Sequence, residues 1–215
     1  MNTGKFNSVN PINPIIQAIN TLFNYAMLNL VCLITCLPVI TIGTALSSLY
    51  YVVLKEADGE AGYLVRPYLR ELKHNMKNGT AAFLIFSGTG AALLFNLLFW
   101  PAQGNPFSAV ITGVLAILTV IWRTVSHYTY PLIGRFVNTP LQSIKNAWGL
   151  ALVNWKQTLL LLVIDIVLAG FYLFFPLKIV LLAVPLAGFV LPACWRAKVL
   201  LRVFAPYEAT QNGQP

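Results

Sequence analysis

Over 80–100, 107–125, 157–175 and 178–196 the chain runs on apolar residues with few charges. An α-helix needs about 20 such residues to cross the ~30 Å hydrocarbon core of a bilayer. Inside that core each backbone N–H and C=O must find its partner within the segment, which makes a helix the form such a run takes. Composition agrees: the chain is 58% hydrophobic and only 9% charged, against about 25% charged in soluble domains. So few charges cannot cover a water-facing surface. The fold expected is all-α, a polytopic helical membrane protein with one integral membrane domain over 1–215.

The fourteen Lys and Arg residues set the expected orientation. Lys55, Arg66, Arg70, Lys73 and Lys77 precede the first of these four runs. Arg123, Arg135, Lys145 and Lys156 lie between the middle pair, and Arg196, Lys198 and Arg202 follow the last. The short connections at 101–106 and 176–178 hold Lys178 alone. Basic residues concentrate on the cytoplasmic side, so the basic stretches are expected inside and the short connections outside, with Lys5 and Lys178 outside the pattern. A net charge of +8 distributed in this way flanks spans instead of forming a nucleic-acid-binding face. No nucleic-acid partner is expected.

The segment 15–54 is less direct. Forty residues make roughly 60 Å of helix, twice the bilayer core. Pro38 cannot donate to a preceding helical turn, and Thr41 can cap a new helix. A hairpin bent at Pro38 is expected, with a short second helix over about 42–57 that is tilted, re-entrant or shielded by neighbours. This gives six spans as three hairpins (15–54, 80–125, 157–196) with both termini cytoplasmic. The alternative is five spans with the N-terminus outside. The polar N-terminus leads into this segment without a small-x-small cleavage site, so no cleavable signal peptide is expected.

Three landmarks recur in order. Asn75-Met76-Lys77-Asn78 and Asn154-Trp155-Lys156-Gln157 precede spans, Trp100-Pro101 and Phe175-Pro176 end them, and Trp122-Arg123 and Trp195-Arg196 close the hairpins. A duplicated unit of amphipathic helix plus hairpin accounts for this, although Trp, Lys and Arg are also generic border anchors. The amphipathic helices are expected over 66–77 and 140–155. In the first, Pro67 sits in the opening turn, Leu69, Leu72 and Met76 form the apolar side, and Arg66, Arg70, Lys73 and Lys77 contact anionic lipid headgroups. In the second, Thr139-Pro140-Leu141-Gln142 has the form of a capping box, followed by Leu141, Ile144, Trp148, Ala151 or Leu152, and Trp155 at helical spacing. Both read as helices lying on the inner membrane surface.

The stretch Leu37-Pro38-Val39-Ile40-Thr41-Ile42-Gly43, then Ala45-Leu46, Leu49-Tyr50-Tyr51, Gly62-Tyr63 and Tyr68-x-x-x-Leu72-Lys73-x-Asn75-x-Lys77, resembles the YesL family of bacterial membrane proteins. The resemblance is most specific over 15–85; Leu72 departs from the aromatic residue usual there. It implies a bacterial plasma-membrane protein of a family whose function is not established. Genes of that family commonly stand beside sugar-binding-protein-dependent ABC transporters. The partner it implies is an ABC transporter permease or a membrane sensor, and no catalytic residue carries over.

Catalytic signatures are missing: there is no G-x-S-x-G, H-E-x-x-H, P-loop or dinucleotide fingerprint. No cofactor or metal is expected. His74 and His127 are expected at the cytoplasmic border, apart from each other. Glu56-x-Asp58-Gly59-Glu60 lacks the ligands of a calcium loop and reads as a solvated acidic turn. Cys32, Cys36 and Cys194 lie in apolar runs and read as packing residues.

Asp165 differs, standing alone in the middle of an apolar run. An ionisable group at that depth normally faces the bundle interior or a cavity. Thr158, Leu162, Asp165, Ala169 and Tyr172 share its helix face, and Thr112, Ala116, Thr119, Arg123 and Ser126 make a matching stripe on 107–125. At ~1.5 Å per residue, Asp165 and Thr119 lie at a common level, and Arg123 is long enough to reach Asp165 from one turn away. Asp165, Arg123, Thr119 and Tyr172 are the candidate intramembrane polar site, read either as a structural ion pair or as a solute or proton site. Thr41, Gly43, Thr44, Ser48 and Tyr51 are a second stripe, and Gly43 with Ser47 forms a small-xxx-small pair suited to close helix packing. The expected function is that of a non-enzymatic accessory or regulatory protein of oligosaccharide ABC-type uptake. The alternative is a small secondary transporter or channel using Asp165.

Overall fold

The computed structural model describes residues 14–60, 62–136, 138–176, 184 and 188–211. Among these, eight α-helices and no strand are found: α1 Pro14–Cys36, α2 Ile42–Ala57, α3 Val65–His74, α4 Met76–Phe99, α5 Pro106–Arg135, α6 Pro140–Val153, α7 Trp155–Phe174 and α8 Val190–Gln211. Helices α1, α4, α5 and α7 are long and apolar enough to cross a membrane. Their apolar side chains face outward, among them Leu98, Ile117, Ile166 and Leu173 at 69%, 63%, 71% and 82% exposure. Apolar surface on this scale is matched by lipid and not by water. The chain is a membrane protein.

Local signals place the helix starts. Asn105 accepts from the Ser108 backbone N–H at 2.8 Å, and Pro106 occupies the first position of α5, where a missing N–H costs nothing. At α6 the capping box forms: Thr139 Oγ1 accepts from Gln142 N at 3.4 Å and Gln142 Oε1 accepts from Thr139 N at 3.2 Å. Thr41 does not cap α2. Its hydroxyl donates instead to the carbonyls of Thr35 and Pro38, at 2.5 and 2.6 Å, and so closes the turn between α1 and α2.

Several expected boundaries move. The span expected to end near 125 continues as α5 to Arg135 through Pro131, and every residue from Thr124 to Gly134 is buried. The run expected over 66–77 breaks at Asn75, so Met76 and Lys77 open α4 and do not continue the apolar and basic faces of α3. Likewise Trp155 opens α7 and is not part of α6, which ends at Val153. Of the span expected over 178–196, residues 178–183 and 185–187 lie outside the described residues, and α8 runs on past Arg196 to Gln211. That continuation carries Leu200, Val203 and Phe204 into the core, where the Phe204 ring meets Phe136 edge-on at 5.9 Å.

The central element is α2. Ten of its 16 residues are buried, and it packs on α4, α5 and α8. Gly43 lies against the backbone of Gly79 in the first turn of α4, where a Cβ on either glycine would overlap the other helix. Thr44 Oγ1 donates to the Met76 carbonyl at 3.3 Å and lies 3.2 Å from Thr80 Oγ1. Gly134, in the last turn of α5, lies against the Ser47 carbonyl and the Tyr51 N–H. Just beyond α2, Asp58 accepts from Arg135 Nη2 at 2.7 Å. The α4 start and the α5 end adjoin, because Asn78 Nδ2 donates to the Asn138 carbonyl at 3.1 Å. Both ends of α2 are therefore tied to the same end of the α4–α5 pair. The expected hairpin, with its Pro38 turn at the far end from Lys55, is not what these contacts describe.

Candidate functional site

Asp165 is brought into the bundle by α7, on the face that also carries Thr158 and Tyr172. From α5, Arg123 and His127 stand one turn apart and so present to the same neighbour. Arg196 comes from α8. Arg123 Nε donates to Asp165 Oδ2 at 2.9 Å, His127 Nε2 stands 2.5 Å from the same oxygen, and Arg196 Nη2 donates to Oδ1 at 2.6 Å. A carboxylate oxygen only accepts, so Nε2 is the protonated nitrogen of His127. The Asp165, His127 and Arg196 side chains are 16%, 4% and 15% exposed, whereas Arg123 is 46% exposed. Three of the roughly four acceptor positions of the carboxylate are taken.

Beside this cluster is a cavity of about 430 Å³. Asp165, Arg123 and Arg196 line it together with Tyr50 of α2, Tyr172 of α7 and Phe189 just before α8. The Tyr172 hydroxyl donates to the Gly188 carbonyl at 3.4 Å across it.

Of the four residues expected at this site, the structure brings Asp165, Arg123 and Tyr172 to the cavity. Thr119 is not there: its hydroxyl donates to the Leu115 carbonyl at 2.8 Å within α5. His127, expected only as a border residue, is buried against Asp165 and belongs to the cluster. Arg196 also went unassigned, although a signal for it exists. The two Trp-Arg landmarks, Trp122-Arg123 and Trp195-Arg196, place their arginines on one carboxylate.

The second stripe serves packing. Thr44 and Gly43 join α2 to α4, and the Ser47 carbonyl receives α5 at Gly134. Ser48 is fully buried, and Tyr51 Oη accepts from Arg70 Nη2 at 3.4 Å. In α3, Arg66, Arg70, Lys73 and Lys77 (the last now in α4) are exposed. Leu69 and Met76 are exposed as well, at 42% and 48%, while Leu72 of the same expected apolar side packs against the core with Tyr68. Tyr68 is fully buried and its hydroxyl lies 2.6 Å from Thr35 Oγ1 of α1. Burial pushes its phenol well above the usual range, so it stays protonated.

The acidic turn is only partly solvated. Glu60 pairs with Lys55 at 2.9 Å and Asp58 with Arg135, while Glu56 Oε2 is turned inward and buried. Among the described residues no group of three or more His, Cys, Asp or Glu could hold a metal ion, and the three cysteines are unpaired thiols.

A family profile described as "Protein of unknown function, DUF624" matches residues 25–97, from α1 through α2 and α3 to the end of α4. The matched residues lie within the α1–α4 part of the chain. No curated protein and no solved structure matches the chain.

Proposed function

We propose that this chain is a non-enzymatic integral membrane protein that acts as an accessory or regulatory component beside an oligosaccharide ABC-type uptake system in a bacterial plasma membrane. The observation that carries the first half is the state of Asp165. A carboxylate that cycles protons or solute must exchange partners, whereas Asp165 is held on both oxygens by cations from two other helices. That arrangement supports a locked structural centre. The second half rests on the YesL-like residues of 37–77 and on the similarity of 25–97 to a family of unknown function. The partner is a permease or sensor subunit of that system.

The topology we propose is the five-span alternative, with α2 held at the cytoplasmic end and the N-terminus outside. It is supported by the contacts that tie both ends of α2 to one end of the α4–α5 pair. The basic residues of α3 then face anionic headgroups on the cytoplasmic side.

Purification of the tagged chain from native membranes in mild detergent tests the function. Co-purification of an uptake permease or its sensor is expected, and its repeated absence ends the accessory reading. One observation favours a second reading, a small secondary transporter: Asp165 lines a cavity. Solute uptake by proteoliposomes that is lost in Asp165→Asn would establish it, and uptake unchanged by that substitution would remove it.

A further inference from the structure

The charges around the cavity do not cancel. Two guanidinium groups, Arg123 and Arg196, meet one carboxylate, Asp165, and His127 can add positive charge but never negative. Among the described residues no other acid is paired with them. Of the six in the chain, Glu60 is paired with Lys55, Asp58 with Arg135, and Glu71 lies beside Arg70 and His74. Glu56 closes α2 next to Asp58, and Glu208 stands three helical turns beyond Arg196. Residues 177–183 and 185–187 contain no Asp or Glu at all. The cluster therefore carries at least one surplus positive charge among apolar helices, where such charges are costly and draw a counter-charge.

The donors are there to receive one. A guanidinium offers five N–H groups in a planar fork suited to oxyanions. Arg123 reaches Asp165 through Nε, which leaves its two terminal nitrogens off that carboxylate. Arg196 reaches it through Nη2, and its Nε is buried without a hydrogen-bond partner among the described residues. Both arginines line the cavity of about 430 Å³, whose remaining walls include Leu46, Leu168 and Phe189. That volume lies within the range of small-molecule sites.

We infer that this cavity binds a singly charged oxyanion, a phosphodiester or a carboxylate, carried on an apolar body. The head lies against Arg123 and Arg196 and the body against Leu46, Leu168 and Phe189. A neutral sugar would leave the surplus charge uncompensated. The same head could belong to a bilayer phospholipid or to a soluble organic acid. The inference is independent of the accessory reading, because its readout is ligand binding to the purified chain.

The test uses the full chain in a neutral detergent and three probes of matched chain length: dioctanoyl phosphatidylglycerol, octanoate and dioctanoyl phosphatidylcholine. Saturable binding, followed by native mass spectrometry and by the shift in unfolding temperature, is expected for an anionic probe and not for the zwitterionic one. Binding of phosphatidylglycerol alone identifies a lipid headgroup, and binding of octanoate identifies a soluble acid. Arg123→Gln brings the cluster to neutrality while Arg196 and His127 still hold Asp165, and should weaken anion binding about tenfold or more. Ala169→Leu narrows the cavity without touching a charge and should weaken it too. Anionic probes binding no better than phosphatidylcholine, or binding unchanged in both variants, overturns the inference.

Discussion

At Asp165 the balance of charge decides which substitutions hurt. Replacing it by Leu leaves Arg123, Arg196 and His127 facing one another, the situation in which a broken buried pair costs about 3–5 kcal/mol. Arg196→Leu leaves Asp165 with Arg123 and His127, but removes a cation that is itself only 15% exposed. Arg123 is 46% exposed, and its loss leaves Asp165 still held by Arg196 and His127, so Arg123→Leu should cost clearly less. The expected order of lost thermal stability in detergent is Asp165→Leu, then Arg196→Leu, then Arg123→Leu. A simple two-residue pair, the reading the sequence allows, predicts that Asp165→Leu with Arg123→Leu together recover most of the loss. The structure predicts only partial recovery, because Arg196 remains without its carboxylate. Unfolding temperatures of the three single variants and this double variant decide between them, and full recovery in the double variant rules out the three-partner cluster.

Among the elements, α2 depends on glycines that its neighbours supply. Gly79 of α4 and Gly134 of α5 have no room for a Cβ, because the backbone of α2 occupies that space. Overpacking of this kind typically costs about 1–3 kcal/mol. Gly79→Ala and Gly134→Ala should each lower the unfolding temperature. Gly113→Ala and Gly88→Ala, where nothing lies within 4 Å of the added carbon, should leave it unchanged or raise it slightly through helix propensity. Equal behaviour of all four variants would show that α2 does not approach α4 and α5 closely. Gly43 and Ser47 were legible as a small-xxx-small pair, but their partners were not. Spacing within one helix shows that a face can be approached closely, without showing which helix approaches it. Here two different helices do, Gly79 of α4 at Gly43 and Gly134 of α5 at the Ser47 carbonyl.

For the whole molecule, the number of crossings is tested by the side on which the N-terminus lies. With α2 held at one end of the α4–α5 pair, a tag before α1 should be open to protease in spheroplasts and protected in inverted vesicles. A tag after Pro215 should show the reverse. Both tags cut from the same side would restore the six-span arrangement.

The helices themselves were legible in the sequence, since runs of about 20 apolar residues leave the backbone little choice in lipid. Thr139-Pro140 likewise marked the start of α6, because a cap is a local hydrogen bond between residues three apart. Asp165 was legible as a site because a lone carboxylate in an apolar run demands a partner, and depth along two helices was enough to nominate Arg123. Three things were settled only by packing. His127 joined the carboxylate because α5 runs on past its expected end near 125 as a continuous helix, and Arg196 because α8 packs against α7. Thr119 fell away because a threonine hydroxyl in a helix can bond its own preceding turn. And α2, long enough to be half of a hairpin by count, lies across one end of the bundle, because what fixes its direction is the close approach of glycines far away in the chain.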